Sequence, residues 1–307
     1  MNKFISRSVI YFAPLLFWAV IVYLIDPFNY WNISRLVDNT IKEENSLKLN
    51  PLLYRTAQYV NHPSENILVG DSRTEILSIR EICEVSNIEY AKFTTNATKL
   101  NEMIDLVYLA SQNCQLRRVA IGINFNMFNK YAYADRVTHV KRIMNNPLLY
   151  IYSKDVAEAS LYVLRGLWTG KNVKSTPPMT RDEFWDWTIR TKGSHWYGKY
   201  DYPMKLQNQI IELDSFATAS NIELVFIIVP HHRDFRIRLA EYELLDEEVK
   251  FKEMLSKLNS RVIDYDYNNI ITQSRESFID PVHYNRTVAS LIISEIWGDS
   301  LNIGKEL

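Results

Sequence analysis

The sequence predicts an α/β protein: a three-layer sandwich around a mostly parallel five-stranded sheet, preceded by an N-terminal transmembrane helix and interrupted by an aromatic-rich helical segment. Three observations lead there. From Asn66 onward, short apolar runs alternate with helical patterns, the rhythm of parallel strands covered on both faces. Near the N-terminus stands a long uncharged apolar run. Between Phe128 and Pro203 the rhythm breaks, in a stretch dense in Trp and Tyr.

The first element is the run Val9 to Ile25, VIYFAPLLFWAVIVYLI. As a helix it rises roughly 26 Å, most of a hydrocarbon core. Lys3 and Arg7 precede it and Asp26 follows, so the positive-inside rule places the short N-terminus in the cytoplasm and the rest outside. No small-residue cleavage site follows the run, which favours a retained signal anchor over residues 1–28. A polar stalk with short helices is expected over 29–65, and the α/β domain over 66–307 with an insertion at 128–203.

Within that domain the strands are NILVG (66–70), IEYAKFTT (88–95), RRVAIGIN (117–124), IELVFIIVP (222–230) and RVIDYD (261–266). Helices are expected near Arg73 to Glu84, at Leu100 to Asn113, Leu206 to Ala219, Leu239 to Asn259 and Arg286 to Leu301. The insertion reads as a helix from Tyr150, a linker at 171–180 and an aromatic stretch from Arg181. Its aromatics either line a substrate groove or pack the insertion onto the sheet.

Composition bounds the function. Apolar residues make up 47% of 307, enough for a sizeable core. The net charge is −1 with no long basic run, which argues against a nucleic-acid partner held through phosphates. The 19 Tyr and 7 Trp suit stacking on sugars as well as packing. Cys83 and Cys114, the only cysteines, each precede a predicted strand; pairing in an oxidising compartment stays open.

In parallel sheets the site lies beyond the carboxyl ends of the strands. There the first strand runs into Gly70-Asp71-Ser72. A serine at such a corner caps a helix or serves as a nucleophile beside free backbone N–H groups. A hydroxyl needs a base, and the base needs an acid group to fix its tautomer. Asp280 and His283, in SFIDPVHYN before the last helix, can supply both.

GDSR followed far downstream by DPVH resembles the SGNH (GDSL-type) hydrolase superfamily, whose fold is flavodoxin-like. It is most similar to the membrane-anchored extracytoplasmic branch that includes the alginate O-acetylation proteins and the D-alanyl-lipoteichoic acid transfer protein. Gly70, Asp71 and Ser72 match its first block, Gly122, Ile123 and Asn124 its third, and Asp280 and His283 its last. Phe125 stands where the family has Asp, and the glycine of the second block is missing, with Asn96 in its slot. The resemblance implies Ser72, Asp280 and His283 as catalytic residues, with Ser72, Asn96 and Asn124 forming the oxyanion hole. It further implies a serine esterase or O-acetyltransferase acting on an acylated cell-envelope or exported polysaccharide. The enzyme would sit on the periplasmic side of a bacterial inner membrane and need no metal or organic cofactor. A membrane-bound acyl-donor protein is a candidate partner.

Arg73 replaces the Leu of GDSL and suits a polar or anionic substrate, or else an outward salt bridge. His231 and His232 follow the fourth strand and are candidate substrate contacts, rival bases or, with less support, metal ligands. The other reading of the chain is a catalytically silent binding or assembly protein in a polysaccharide modification or export complex.

Overall fold

The computed structural model describes residues 2–34, 36–169, 179–298 and 300–307, with the side chains of residues 2–10 and 169 outside the description. In chain order the helices are α1 (Asn2–Ile25), α2 (Asn39–Leu49), α3 (Pro51–Asn61), α4 (Ile79–Ser86), α5 (Leu100–Asn113), α6 (Arg136–Met144) and α7 (Pro147–Tyr152). There follow α8 (Lys154–Thr169), α9 (Arg181–Tyr197), α10 (Met204–Ala219), α11 (Arg233–Glu241), α12 (Leu245–Leu255), α13 (Ile270–Gln273) and α14 (Arg286–Ile296). The strands are β1 (Asn66–Gly70), β2 (Ala91–Thr94), β3 (Arg118–Ile123), β4 (Glu223–Ile228), β5 (Arg261–Asp264), β6 (Phe278–Asp280), β7 (His283–Tyr284) and β8 (Lys305–Glu306).

Two compact units divide the chain, and they cut it differently from the expected boundaries. Residues 1–62 and 136–176 form a helical unit, and residues 63–135 and 177–307 form the α/β unit. Most of the expected stalk and residues 136–176 of the expected insertion thus belong together. The reason is apolar: Val37 of the stalk segment buries against Val163 of α8 and Ile25 of α1. The expected linker lies, over 171–178, outside the described residues.

The run Val9–Ile25 is helical, yet among the described residues no helix is long and apolar enough to cross a membrane. The span expected there is corrected accordingly. The helix carries Lys3 and Arg7 in its first two turns, so its uncharged apolar part begins only at Val9. One face is also taken by protein. Trp18 Nε1 donates to Ile151 O at 3.1 Å, Tyr152 Oη donates to Leu15 O at 3.2 Å, and Val22 and Ile25 are buried.

The α/β unit carries a six-stranded sheet in the order β2-β1-β3-β4-β5-β8. The first five strands are parallel, as expected, and β8 adds an antiparallel edge. That sixth strand has no apolar run to announce it. It is held because Glu295 of α14 accepts the N–H groups of Asn302, Ile303 and Gly304, which turns the chain back along β5. Side chains alternate across the sheet. Leu68, Ala120, Val225 and Ile263 pack with Ile82 of α4 and Val288 and Ile292 of α14. On the other face α5 packs on β1 and β3, and α10 on β4.

Two expected helices are broken. The segment after Ser72 makes a 3₁₀ turn, Thr74–Ile76, and restarts at Ser78, whose hydroxyl caps α4 by accepting the Glu81 N–H. The segment Leu239–Asn259 splits into α11 and α12 at Glu243, which takes φ 57°. Cys83 and Cys114 are free thiols, which closes the question of their pairing.

Candidate active site

The site grows out of β1. Thr74, fully buried, wedges its side chain against Gly70 and Gly122, and a Cβ at either glycine would overlap it. These two glycines let the turn after β1 lie flat on the end of β3. Asp71 Oδ1 accepts the Arg73 N–H at 2.9 Å, so the aspartate, not the serine, closes the bend after β1. Ser72 is left with its hydroxyl free to face elsewhere.

It faces His283. Ser72 Oγ lies 2.8 Å from His283 Nε2, and His283 Nδ1 lies 2.7 Å from Asp280 Oδ2. Asp280 and His283 are paired across the β6–β7 hairpin. Pro281 and Val282 make the turn, and Asp280 Oδ1 takes the N–H groups of Val282 and His283 at 2.9 and 3.1 Å. The hairpin is tied to the strand ends by the His232 N–H, which donates to Pro281 O at 2.9 Å. Burial raises the Asp280 carboxyl, but the His283 bond, the charges of His283 and Lys192 and the Val282 N–H outweigh it and hold the group below its ordinary value. Asp280 is therefore an anion aimed at Nδ1, which fixes the proton there and leaves Nε2 to accept from Ser72.

Arg73 does not stand at a substrate face. It is 1% exposed, among the largest fully buried side chains. Its Nε and Nη2 grip Asp71 at 2.7–3.2 Å, and Nη1 donates to Asn126 Oδ1 at 3.0 Å and to His231 Nε2 at 2.6 Å. A guanidinium only donates, so His231 Nε2 is an acceptor and its proton sits on Nδ1, 3.0 Å from Asp266 Oδ2. Burial pushes His231 below its ordinary value, against the pull of Asp266 and with the help of Arg73 and Arg236. Asp266, although buried, is held well below the carboxylate range by Arg236 and His231. Asp71 is lowered too, since Arg73 outweighs its burial.

The remaining expected site residues are redirected as well. His232 is 3% exposed, packs edge-on against Trp185 at 4.9 Å and caps α11 by accepting the Asp234 N–H. Neither histidine after β4 therefore reaches a substrate face. Asn124 is fully buried, and its Nδ2 donates to Val229 O at 2.6 Å and Asp266 Oδ2 at 3.2 Å. Both amide hydrogens are spent beneath the site, so this side chain is not the oxyanion donor expected of it. Asn96 lies exposed in the turn after β2, where the left-handed backbone position falls on Ala97, φ 55°, rather than on Asn96. The Ser72 N–H has no partner among the described residues and remains available. The helix expected directly behind it is reduced to one 3₁₀ turn, which weakens any dipole at this corner.

Sequence reasoning passed over Asp266, Asn126 and Lys192. Asp266 ends a strand segment at the site face, which is a usable signal. Lys192 carries none, being one cation in an aromatic stretch. The structure sets it on α9 with its ammonium 5.6 Å from the centroid of Trp196. Burial lowers it, while Asp280 and Asp71 raise it and Arg73 lowers it further. Among the described residues no group of three His, Cys, Asp or Glu side chains could hold a metal.

No protein-family model and no curated protein matches the chain. Its fold is similar to that of several solved structures. A Streptococcus pneumonia protein described as a platelet activating factor shares 12% identity at TM-score 0.42, over 84% of this chain and 96% of that one. A protein described as an acylhydrolase from Bacteroides fragilis NCTC 9343 shares 14% at TM-score 0.38, over 80% and 97%. A protein described as a lipolytic protein of the G-D-S-L family, from Desulfitobacterium hafniense DCB-2, shares 10% at TM-score 0.36, over 74% and 93%. All three scores are low, and the functional reading rests on the geometry of the site.

Proposed function

We propose that the chain is a serine esterase or O-acyltransferase. One observation carries this reading: the unbroken hydrogen-bonded line Ser72–His283–Asp280 at the carboxyl ends of the parallel strands. In the proposed reaction His283 Nε2 takes the Ser72 proton as Oγ attacks the acyl carbonyl. Asp280 steadies the imidazolium that forms. The Ser72 N–H, free of other partners, receives the oxyanion. His283 returns its proton to the departing alkoxide, leaving an acyl-Ser72 ester. A second proton transfer through His283 then delivers the acyl group to water or to a sugar hydroxyl.

An acetylated polysaccharide on the extracytoplasmic face of a bacterial membrane is the proposed substrate and place. The exposed Tyr11, Phe12, Leu16 and Phe17 of α1 support attachment to an apolar phase. A second reading, a silent binding or assembly protein, is favoured by one observation: the Asn124 amide is committed elsewhere, so the oxyanion site has one donor fewer than expected. A fluorophosphonate probe separates the two. Labelling of the wild-type chain, lost in Ser72→Ala, is expected. An unlabelled wild-type chain that hydrolyses no aryl acetate would sink the enzyme reading.

A further inference from the structure

Helix α9 lies on the site through one face. Arg181 Nη2 donates to Phe278 O at 2.8 Å, beside the hairpin that holds Asp280 and His283. Trp185, 2% exposed, walls His232; Thr188 is fully buried; Trp196 lies 6.2 Å from the His231 ring and 5.3 Å from Phe235. Positions 181, 185, 188, 192 and 196 recur at helical spacing, so Lys192 stands on the inward face between the two tryptophans. Trp196 receives two cations, Arg73 Cζ at 5.6 Å and Lys192 Nζ at 5.6 Å from its centroid.

The two cations differ in what balances them. Arg73 is neutralised by Asp71. Lys192 makes no ion pair and no hydrogen bond among the described residues, and the acids whose charge acts on it, Asp280 and Asp71, are committed to His283 and Arg73. A half-buried ammonium without a counterion is costly unless something brings one. A purely structural lysine on this face would reach a carboxylate or extend into solvent. Here the ring of Trp196 holds the ammonium on α9, the helix that packs against β6, the strand that ends in Asp280.

We infer that Lys192 is a specificity-determining residue, receiving an anionic group, a carboxylate or a phosphate, that the substrate carries next to the ester. This rests on the esterase reading and adds a substrate class to it. The test compares three esters: 4-nitrophenyl acetate, its 3-carboxy analogue with the charge on the alcohol side, and 4-nitrophenyl hemisuccinate with the charge on the acyl side. Comparing wild type with variant cancels the intrinsic reactivity of each ester. Lys192→Met is expected to lower the anionic-to-neutral ratio of kcat/KM by roughly tenfold or more, through KM, for one of the anionic esters. Which one tells where the anion sits. Lys192→Arg is expected to keep most of that ratio. A ratio unchanged in Lys192→Met for both anionic esters overturns the inference. Should Lys192→Met lose fluorophosphonate labelling through misfolding, the wild-type chain decides: an anionic-to-neutral ratio that falls with added salt supports the inference, and one flat in salt overturns it. A wild-type chain inactive on all three esters sinks the esterase reading and this inference with it.

Discussion

Asp280 shows how much rests on one proton. Its Oδ1 is occupied by two backbone N–H groups and its Oδ2 by His283 Nδ1. In Asp280→Asn the amide oxygen can keep the backbone bonds, which leaves an NH₂ facing Nδ1. The imidazole then turns to the other tautomer and presents an N–H to Ser72. The fold is expected to survive while kcat on aryl acetates falls by about 10³–10⁴, with a matching slowing of probe labelling. An Asp280→Asn rate within tenfold of wild type would contradict the assigned roles. Arg73 argues the opposite kind of case. It touches no substrate face, and in Arg73→Met the buried Asp71 loses its counterion. Breaking one side of such a pair costs about 3–5 kcal/mol, to be read as a lower urea midpoint. The glycines around Thr74 give a third test. Gly122→Ala is expected to cost about 1–3 kcal/mol by overpacking. Thr74→Ala should recover part of that loss, so a double-mutant cycle with no coupling would show that the two sites do not touch.

Elements differ in how openly the sequence declares them. Strands β1, β3 and β4 were legible as short, largely buried apolar runs, and Leu100 to Asn113 because its apolar face repeats at helical spacing. The breaks were not. Glu243 stops a helical pattern with a left-handed residue, yet it is neither Gly nor Asn, so nothing local marks it. Glu243→Gly, at an exposed position, is therefore expected to raise stability by about 0.5–1 kcal/mol, and a lower melting temperature would refute this account of the break. Strand β8 was hidden because Glu295, not its own residues, fixes it. The same division runs through the site. Ser72, Asp280 and His283 sit at strand ends and in a hairpin, and their types and spacing advertise their meeting. The fate of Asn124 depends on Val229 and Asp266, which are 105 and 142 residues further on, and no local pattern carries that information. Arg73 was misread as outward-facing for the same reason, since its acceptors Asn126 and His231 arrive from β3 and β4.

At the scale of the whole chain, the buried charges make stability depend on pH, and the sign follows from which groups shift. His231 and His232 are both held below their ordinary value of 6.5, chiefly by burial. Neutral in the fold, they take up protons more readily once the chain unfolds. Their contribution is therefore fully present above about pH 6.5 and is lost as pH falls below it. Each adds up to one proton to the difference, a slope of about 1.4 kcal/mol per pH unit. Glu248 and Asp264 work the other way. Burial raises both carboxyls, so mild acid protonates them first in the fold and offsets part of the loss. Asp71, Asp266 and Asp280 are lowered, and their contribution disappears only when the pH drops through the ordinary carboxylate range near 3.9 and below. Urea unfolding of the whole chain should accordingly be steepest in pH just below 6.5, losing stability on acidification from pH 7 to 5.5. His231→Asn can still accept from Arg73 and donate to Asp266, and it removes one of the two titrating rings. It is expected to take away about half of that slope. Stability that stays flat or rises over the same interval would mean that these histidines are not held neutral, and the inward-facing line Asp71–Arg73–His231–Asp266 would have to be redrawn.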